Sequence, residues 1–324
     1  CRTYCDNLGL ENPVNAGICS SMWGLGFEHR PVDRAEACRR LYADMLGRFP
    51  TPSEVNDTCD QPSWGDVVKT LIDSDEFVLV NQRKWADKLL YNNRAVNFER
   101  AFDMDELVGK AYRGRVAYDE FAAVTSAHPV FIRRHDNASD RATALYSLFL
   151  GRPPYEDERA DMARMYALWY NGYWDHPHLG ILPDAFIEFR CVDENGNPDP
   201  ETIGECTSAK WGLHELTLKP DSQRQVKKGD QAGMMWSGFL LPDEWETLQE
   251  PGRIVAADEA FWEWAADEAL EQYLGYDIAN SAPEVRQELV KYMLENNGDI
   301  RALHYAVATS FVYLQSSIGG EDTE

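Results

Sequence analysis

The residues whose types and spacing could bind a metal ion lie just past the middle of the chain. In the stretch VDENGNPDPETIGE (192–205), oxygen-bearing side chains alternate as they do in calcium-binding loops, namely at Asp193, Asn195, Asn197, Asp199 and Glu201. An EF-hand loop needs Gly at its sixth place and Glu at its twelfth, and this stretch has Pro198 and Gly204 there. A β-turn punctuated by Asn-Gly and Asn-Pro is therefore favoured, with Ca²⁺ as the alternative.

Two histidines offer a second metal chemistry. His176 and His178 lie close together in YWDHPHLG, beside Asp175, and imidazole and carboxylate groups suit zinc or iron. The spacing of the histidines does not identify a third metal ligand. A metal-dependent enzyme around His176 and His178 is therefore kept only as the second alternative function.

Motifs of nucleophilic and phosphate chemistry are absent from the sequence. There is no Gly-x-Ser-x-Gly, no phosphate-binding loop and no dinucleotide fingerprint. Among 55 carboxylates, two neighbouring acids say almost nothing about a glycosidase pair. No motif supports an enzyme, although catalytic groups often meet only in the folded chain.

A dense aromatic cluster, MYALWYNGYW (165–174), could bind a sugar ring, a peptide or a partner protein. Aromatic residues at helical spacing usually form core. This cluster is too dense for one inward face, so we expect part of it to meet another surface. Its members are Tyr166, Trp169, Tyr170, Tyr173 and Trp174.

The elements that position these groups are indicated by a repeated helix ending. LYADMLGRFPTPSE begins at Leu41 and LYSLFLGRPPYEDE at Leu145. In each, a glycine supplies the left-handed residue that ends a helix, and a proline cannot continue it. In the first copy Thr51, Pro52 and Glu54 fit a capping box at the start of the next helix. The motif predicts a corner between two helices.

Each corner contains an arginine and, six residues later, a glutamate: Arg48 with Glu54, and Arg152 with Glu158. A guanidinium at this place can reach the last helix carbonyls or that glutamate. We interpret both pairs as structural clasps and expect no catalytic role for them.

A second recurrent phrase is an apolar-faced helix that runs into a serine and then an aromatic residue. It occurs in DVVKTLIDSDEFV, DEFAAVTSAHPVF and, more loosely, DIRALHYAVATSFVYL. ALEQYLGYD around Gly275 resembles a degraded third corner without the arginine. The sequence thus predicts a mainly α fold of irregular helix-pair repeats.

The expected organisation has five parts. Short β-like runs, AFIEFRCVD and HELTLKP, indicate an insertion with a disulfide-closed hairpin. The parts are an N-terminal arm tied by disulfides (1–35), a helical body (36–171), a mixed or β insertion (172–255), a C-terminal helical segment (256–318) and a flexible tail (319–324).

Cysteine usage indicates an oxidising compartment. No C-x-x-C pair occurs, and six cysteines besides Cys1 suit three disulfides. Of the 15 connectivities, proximity favours Cys191–Cys206, Cys5–Cys19 and Cys38–Cys59. Because the numbering starts on Cys1, as in a mature bacterial lipoprotein, we expect lipid there, with an arbitrary boundary as the alternative.

Net charge and hydropathy restrict the classes of molecule that the protein could bind. The formal net charge of -24 repels nucleic-acid phosphates and anionic lipid headgroups, so nucleic-acid binding is excluded as a main role. The sequence contains no run of about 18 uncharged apolar residues that could cross a bilayer. Membrane contact is expected only through the N-terminal lipid.

The corner LYADMLGRFPTPSE, the following DSDEFVLVNQRKWADKLLYNN and the closing DIRALHYAVATSFVYL resemble uncharacterised helical modules of planctomycete and myxobacterial surface proteins. Those modules are often joined to cytochrome c domains, and this chain has no haem motif. The resemblance implies a bacterial envelope protein of unassigned function. It assigns no catalytic residues.

These observations predict a structural or interaction subunit of a cell-envelope assembly. We expect a lipid-anchored protein of the outer membrane, cell surface or periplasm whose partners are other envelope or surface proteins, with no cofactor required. The first alternative is a surface module that binds carbohydrate or peptide through the 165–174 aromatics.

Overall fold

The computed structural model describes residues 9–21, 31–91, 98–135, 137–171, 187–192, 213–218, 249–275 and 282–315. The predicted mainly α class is confirmed. The described helices are α1 (Pro13–Ser21), α2 (Arg34–Leu46), α3 (Pro52–Glu54), a π-helical turn (Val55–Cys59), α4 (Trp64–Ile72), α5 (Asp75–Leu89), α6 (Phe98–Tyr112), α7 (Tyr118–Ala127), α8 (Pro129–Arg134), α9 (Ala138–Leu150), α10 (Glu156–Asn171), α11 (Glu250–Ala256), α12 (Glu259–Leu274), α13 (Pro283–Glu295) and α14 (Ile300–Ala308).

Two strands, β1 (Ile187–Val192) and β2 (Leu213–Leu218), pair antiparallel, with Ile187 opposite Leu218. They lie in the two runs that read as β-like in the sequence. Residues 193–212 between them are outside the described part, so the hairpin disulfide Cys191–Cys206 stays a prediction. Helix resumes at Glu250, before the expected boundary at residue 256.

The chain divides into two compact units. Unit 1 comprises Cys1–Asn81, Tyr112–Ala117 and Trp262–Glu324. Unit 2 comprises Gln82–Ala111 and Tyr118–Phe261. Each unit holds one of the two helix corners found in the sequence.

Unit 1 brings the N-terminal segment against the C-terminal helices. α1 packs on α13 so closely that a Cβ on Gly17 would lie 2.5 Å from the Val285 Cα. Asn12 donates to the Ala306 carbonyl oxygen at 2.8 Å, and Pro31 forms a β-bridge with Gln315. The predicted N-terminal arm therefore contains a packed helix, because Val14 and Ile18 have an apolar surface to cover.

Unit 2 is centred on packed aromatic rings. Trp85 lies edge-on to Phe121 with ring centroids 4.6 Å apart, and Tyr118 lies 4.9 Å from Phe261. α11 packs against α7 at Gly252, where an added Cβ would stand 2.4 Å from the Ala122 carbonyl oxygen. Only a residue without a side chain allows this approach of the two helices.

The helix corners end as the sequence predicts. Gly47, Gly151 and Gly275 have φ values of 68°, 64° and 71°, the left-handed conformation that glycine adopts without strain. At the first corner the Thr51 and Glu54 capping box is formed in both directions. At the degraded third corner Gly275 thus ends α12 in the same conformation, despite the missing arginine, and residues 276–281 after it lie outside the described part.

The serine after each recurrent helix joins two elements. Ser74 and Ser310 donate to the carbonyl three residues earlier, at 2.6 and 2.7 Å, and accept from the aromatic amide three residues later. Three residues after Ser126 the chain has Pro129 instead of an aromatic residue, and proline has no N–H to donate. There the Gly252 amide donates to the Ser126 hydroxyl instead, at 3.0 Å.

The predicted disulfide Cys38–Cys59 is confirmed and joins α2 to the π-helical turn. Both cysteines are buried. Cys19 is also disulfide-bonded, and Cys5, its expected partner, lies outside the described residues. In the part of the chain that the structure describes, no helix has the length and apolar character needed to span a membrane.

Candidate functional site: the arginine clasps

The first clasp consists of Arg48, Glu54 and Glu76. Arg48 Nε and Nη2 donate to the two oxygens of Glu76 at 2.6 and 2.7 Å. Nη2 and Nη1 donate to the two oxygens of Glu54 at 2.6 and 2.8 Å, and Nη1 also reaches the Phe49 carbonyl oxygen at 3.0 Å. A guanidinium has five N–H donors, so every one of them is used inside the protein.

The second clasp consists of Arg152, Glu158 and Asp258. Arg152 Nη1 and Nη2 donate to the two oxygens of Glu158 at 2.7 and 2.8 Å. Nη2 reaches Asp258 at 3.3 Å, and Nη1 reaches the Pro153 carbonyl oxygen at 3.3 Å. The geometry of the first corner is thus repeated with a different third residue.

An aromatic ring lies beneath each guanidinium. Arg48 Cζ is 5.4 Å from the Tyr42 ring centroid, and Arg152 Cζ is 5.4 Å from that of Tyr146. This cation–π contact explains why tyrosine precedes arginine by six residues in both copies. Burial and then the nearby Glu158 carboxylate raise the pKa of Tyr146 to about 12.

The clasps also perturb their carboxylates. The Arg48 hydrogen bonds lower the pKa of Glu54 to about 2, and Arg152 likewise lowers the pKa of Glu158. Both glutamates therefore remain charged at neutral pH, where the ion pairs are fully formed.

The sequence did not reveal the third residue of either clasp. Glu76 lies in the first turn of α5, and Asp258 lies just before α12, where it also accepts from the Ala260 amide at 3.0 Å. Asp258 is 106 residues from Arg152. Both are acidic residues at or just before the start of a helix, and in the case of Asp258 the preceding helix, α11, was not predicted from the sequence.

Another ion pair joins α12 and α13, the helices on either side of Gly275. Arg286 on α13 donates through Nε and Nη2 to the two oxygens of Asp267 on α12, at 2.8 and 2.7 Å. A forked contact between an arginine and a carboxylate therefore also joins α12 to α13, with residues at other places than in the two clasps.

A buried polar cluster lies in unit 1 between α2, α12 and the C-terminal turn. The Tyr313 hydroxyl donates to Asp44 at 2.8 Å, and the Tyr273 hydroxyl lies 2.9 Å from His304 Nδ1. The two tyrosine rings meet edge to face with centroids 5.7 Å apart. Burial is the main cause that raises the pKa of both tyrosines, so these hydroxyls stay protonated at neutral pH.

The structure places one of the five predicted interface aromatics in the core. Tyr166 is 4% exposed and donates from its hydroxyl to the Ser126 carbonyl oxygen at 3.1 Å. It therefore has no surface for a ligand or partner, which corrects the expectation for this residue. The side chains of Trp169 and Tyr170 and all of Tyr173 and Trp174 lie outside the described part.

The other predicted site residues are likewise outside the described part of the chain. They are Cys1, Cys206, His176, His178, Asp193, Asn195, Asn197 and Asp199. Among the described residues, no group of three His, Cys, Asp or Glu side chains is arranged to hold a metal ion.

Comparison with known proteins identifies one part of the chain. No curated protein and no solved structure matches it. The model of one protein family matches residues 20–165, which include both complete corners and α4–α9. The match ends before β1 and the C-terminal helices. Residues 20–165 thus match the PSCyt2 domain, described as a protein of unknown function (DUF1549), which occurs in planctomycete proteins often with cytochrome domains.

Proposed function

We propose that this chain is a non-catalytic interaction subunit of a bacterial cell-envelope assembly. The single observation that carries the proposal is the saturation of the Arg48 guanidinium, whose five N–H donors all bind within the corner. A charged group used in this way has no donor left for a substrate. Its effect is to hold two helices at a set angle.

The rigid corners carry exposed aromatic residues, which suits a binding role. Phe49, next to Arg48, is 71% exposed, and Tyr155, near Arg152, is 67% exposed. A large aromatic side chain on a fixed turn loses little conformational freedom when a partner covers it. We propose that Phe49 and Tyr155 are contact residues for other envelope or surface proteins.

The cysteine chemistry supports the proposed location. The Cys38–Cys59 disulfide suits an oxidising compartment such as the periplasm or the cell surface. A Cys191–Cys206 bridge within the insertion belongs to the same proposal.

The test isolates the protein from native membranes and measures its mass under native and denaturing conditions. We expect a complex of fixed stoichiometry and disulfide-bonded cysteines. The variants Phe49→Ser and Tyr155→Ser should weaken the complex, whereas Leu294→Ser, which changes a 50% exposed residue on α13, should preserve it. A monomer with reduced cysteines would contradict the proposal.

A further inference from the structure

A buried histidine caps the short helix α8. The Val130 amide donates to His128 Nδ1 at 3.2 Å, and His128 is 2% exposed. A backbone N–H can only donate, so Nδ1 must offer a lone pair and the ring must be neutral. A doubly protonated imidazole has no acceptor nitrogen, so it cannot form this cap.

The histidine takes over a place that a serine fills elsewhere in the chain. After the first recurrent apolar helix, Ser74 caps α5 by accepting from the Phe77 amide at 3.2 Å. Ser126 ends the second such helix, but its hydroxyl accepts from the Gly252 amide. The proline three residues after Ser126 is the first residue of α8, so the cap of this helix falls to His128.

The other side-chain caps of the described helices use groups that do not titrate near neutral pH. They come from Asp33, Thr51, Ser63, Ser74, Asn137 and Asp299. Hydroxyl and amide groups keep their charge state, and aspartate is ionised well above about pH 4. Among these described caps, only that of α8 belongs to a residue type that changes its charge between about pH 5 and 8.

The groups packed around α8 favour the neutral ring. Arg141 on α9 is buried and donates to the Ile132 and His135 carbonyl oxygens at 3.0 Å each, so a positive charge already lies at the end of α8. Tyr166 on α10 donates to the Ser126 carbonyl oxygen, and burial raises its pKa, so it stays uncharged. The other described charged or titratable groups near α8 along the chain, or beside Gly252 on α11, are Arg134, His135, Asp140, Glu250 and Arg253.

We propose that α8 is an acid-responsive element of unit 2, which is closed while His128 is neutral and opens when the ring takes up a second proton. The closed helix excludes this proton, whereas the open segment binds it as an ordinary histidine does, near about pH 6.5. The stability that the cap contributes is therefore complete above about pH 6.5 and is lost as the pH falls.

Opening of α8 changes the surface of unit 2. Val130 and Phe131 are buried in the closed helix, so acid uncovers two large apolar side chains. This response is independent of the interaction role proposed above, because neither Phe49 nor Tyr155 takes part in it.

Amide hydrogen exchange of the full chain tests the proposal. The Ile132 amide donates to the His128 carbonyl oxygen at 3.0 Å and exchanges only when α8 opens. After correction for the intrinsic pH dependence of exchange, the ratio of open to closed α8 should be about tenfold larger at about pH 5.5 than at about pH 7.5. His128→Asn keeps a cap that does not titrate and should abolish this increase. His135→Asn, which removes the other histidine of this segment, should retain it.

A second measurement uses the unchanged protein and does not depend on how the variants fold. The 15N chemical shifts of the histidine rings, with those of His128 assigned by their loss in His128→Asn, distinguish protonated from unprotonated nitrogens. We expect an unprotonated His128 Nδ1 and a protonated Nε2 at about pH 7.5. A proton on Nδ1 at this pH, or a ring that gains its second proton while the Ile132 amide stays protected, would overturn the proposal. An equal pH response in His128→Asn would do the same.

Discussion

Arg48 holds Glu76 through two parallel hydrogen bonds, Nε to Oε1 at 2.6 Å and Nη2 to Oε2 at 2.7 Å. Arg48 lies in the corner after α2 and Glu76 in the first turn of α5, and the two are separated by 28 positions. Glu54 occupies the other side of the same guanidinium. The pairing joins the corner between α2 and α3 to the start of α5 in unit 1.

Replacing Arg48 with Lys should lower the free energy of unfolding by about 1–2 kcal/mol, because lysine keeps the charge and cannot form both forked contacts. The figure is reduced for the partial exposure of the clasp. Urea unfolding monitored by circular dichroism measures it. Arg39→Lys, an exposed change on the same helix, is the control and should change stability by less than about 0.5 kcal/mol.

Acid should weaken the first clasp in a defined range. The pKa of Glu54 is lowered from 4.5 to about 2 in the folded protein, so the unfolded chain binds more protons between these values. The stability that this residue contributes is complete above about pH 4.5 and is lost as the pH falls toward 2. Urea unfolding at a series of pH values measures the slope. In Glu54→Gln the slope over this range should be smaller; an unchanged slope would contradict the assignment.

Two glycines should respond differently to substitution. Gly252 has no positive φ, and its added Cβ would collide with the α7 backbone, so Gly252→Ala should cost about 1–3 kcal/mol. Gly47 has φ 68° with nothing within 4 Å of an added Cβ, so the cost of a substitution there comes from the left-handed backbone conformation. Gly47→Asn should therefore be less destabilising than Gly47→Ala, since asparagine tolerates this conformation. Thermal unfolding of the variants compares them, and a harmless Gly252→Ala would exclude the close helix contact.

Ser126→Ala should be more damaging than Ser74→Ala. Removal of the buried Ser126 hydroxyl leaves the Gly252 amide and the Ala123 carbonyl without this partner, at a cost of about 2–3 kcal/mol. Ser74 is partly exposed, so water can replace its hydroxyl and the loss should be about 1 kcal/mol. Chemical unfolding of both variants tests the order. Equal losses in the free energy of unfolding would mean that the hydrogen bond from the Gly252 amide to Ser126 adds no extra stability.

The local parts of the fold were predictable, and the reason is visible at particular residues. Asp33 caps α2, Thr51 caps α3, and Gly47 and Gly151 end helices through interactions within a few positions. α1 was not predicted, because PVNAGICSS has no strong helical signal of its own and becomes buried only through contacts with α13. α11 was missed for a similar reason: Gly252 lowers its helix propensity, and packing on α7 compensates.

The sequence by itself determined the helix corners and the arginine and glutamate six residues apart in each clasp, whereas for Cys38 and Cys59 it only favoured one pairing among 15 connectivities. The corners and clasps depend on short-range geometry, so the residue types at fixed spacing are sufficient. Only the tertiary structure decided that Glu76 and Asp258 complete the clasps and that Tyr313 lies beneath Arg40. Those partners are far apart along the chain, and only the packing of helices brings them within hydrogen-bonding or ring-contact distance.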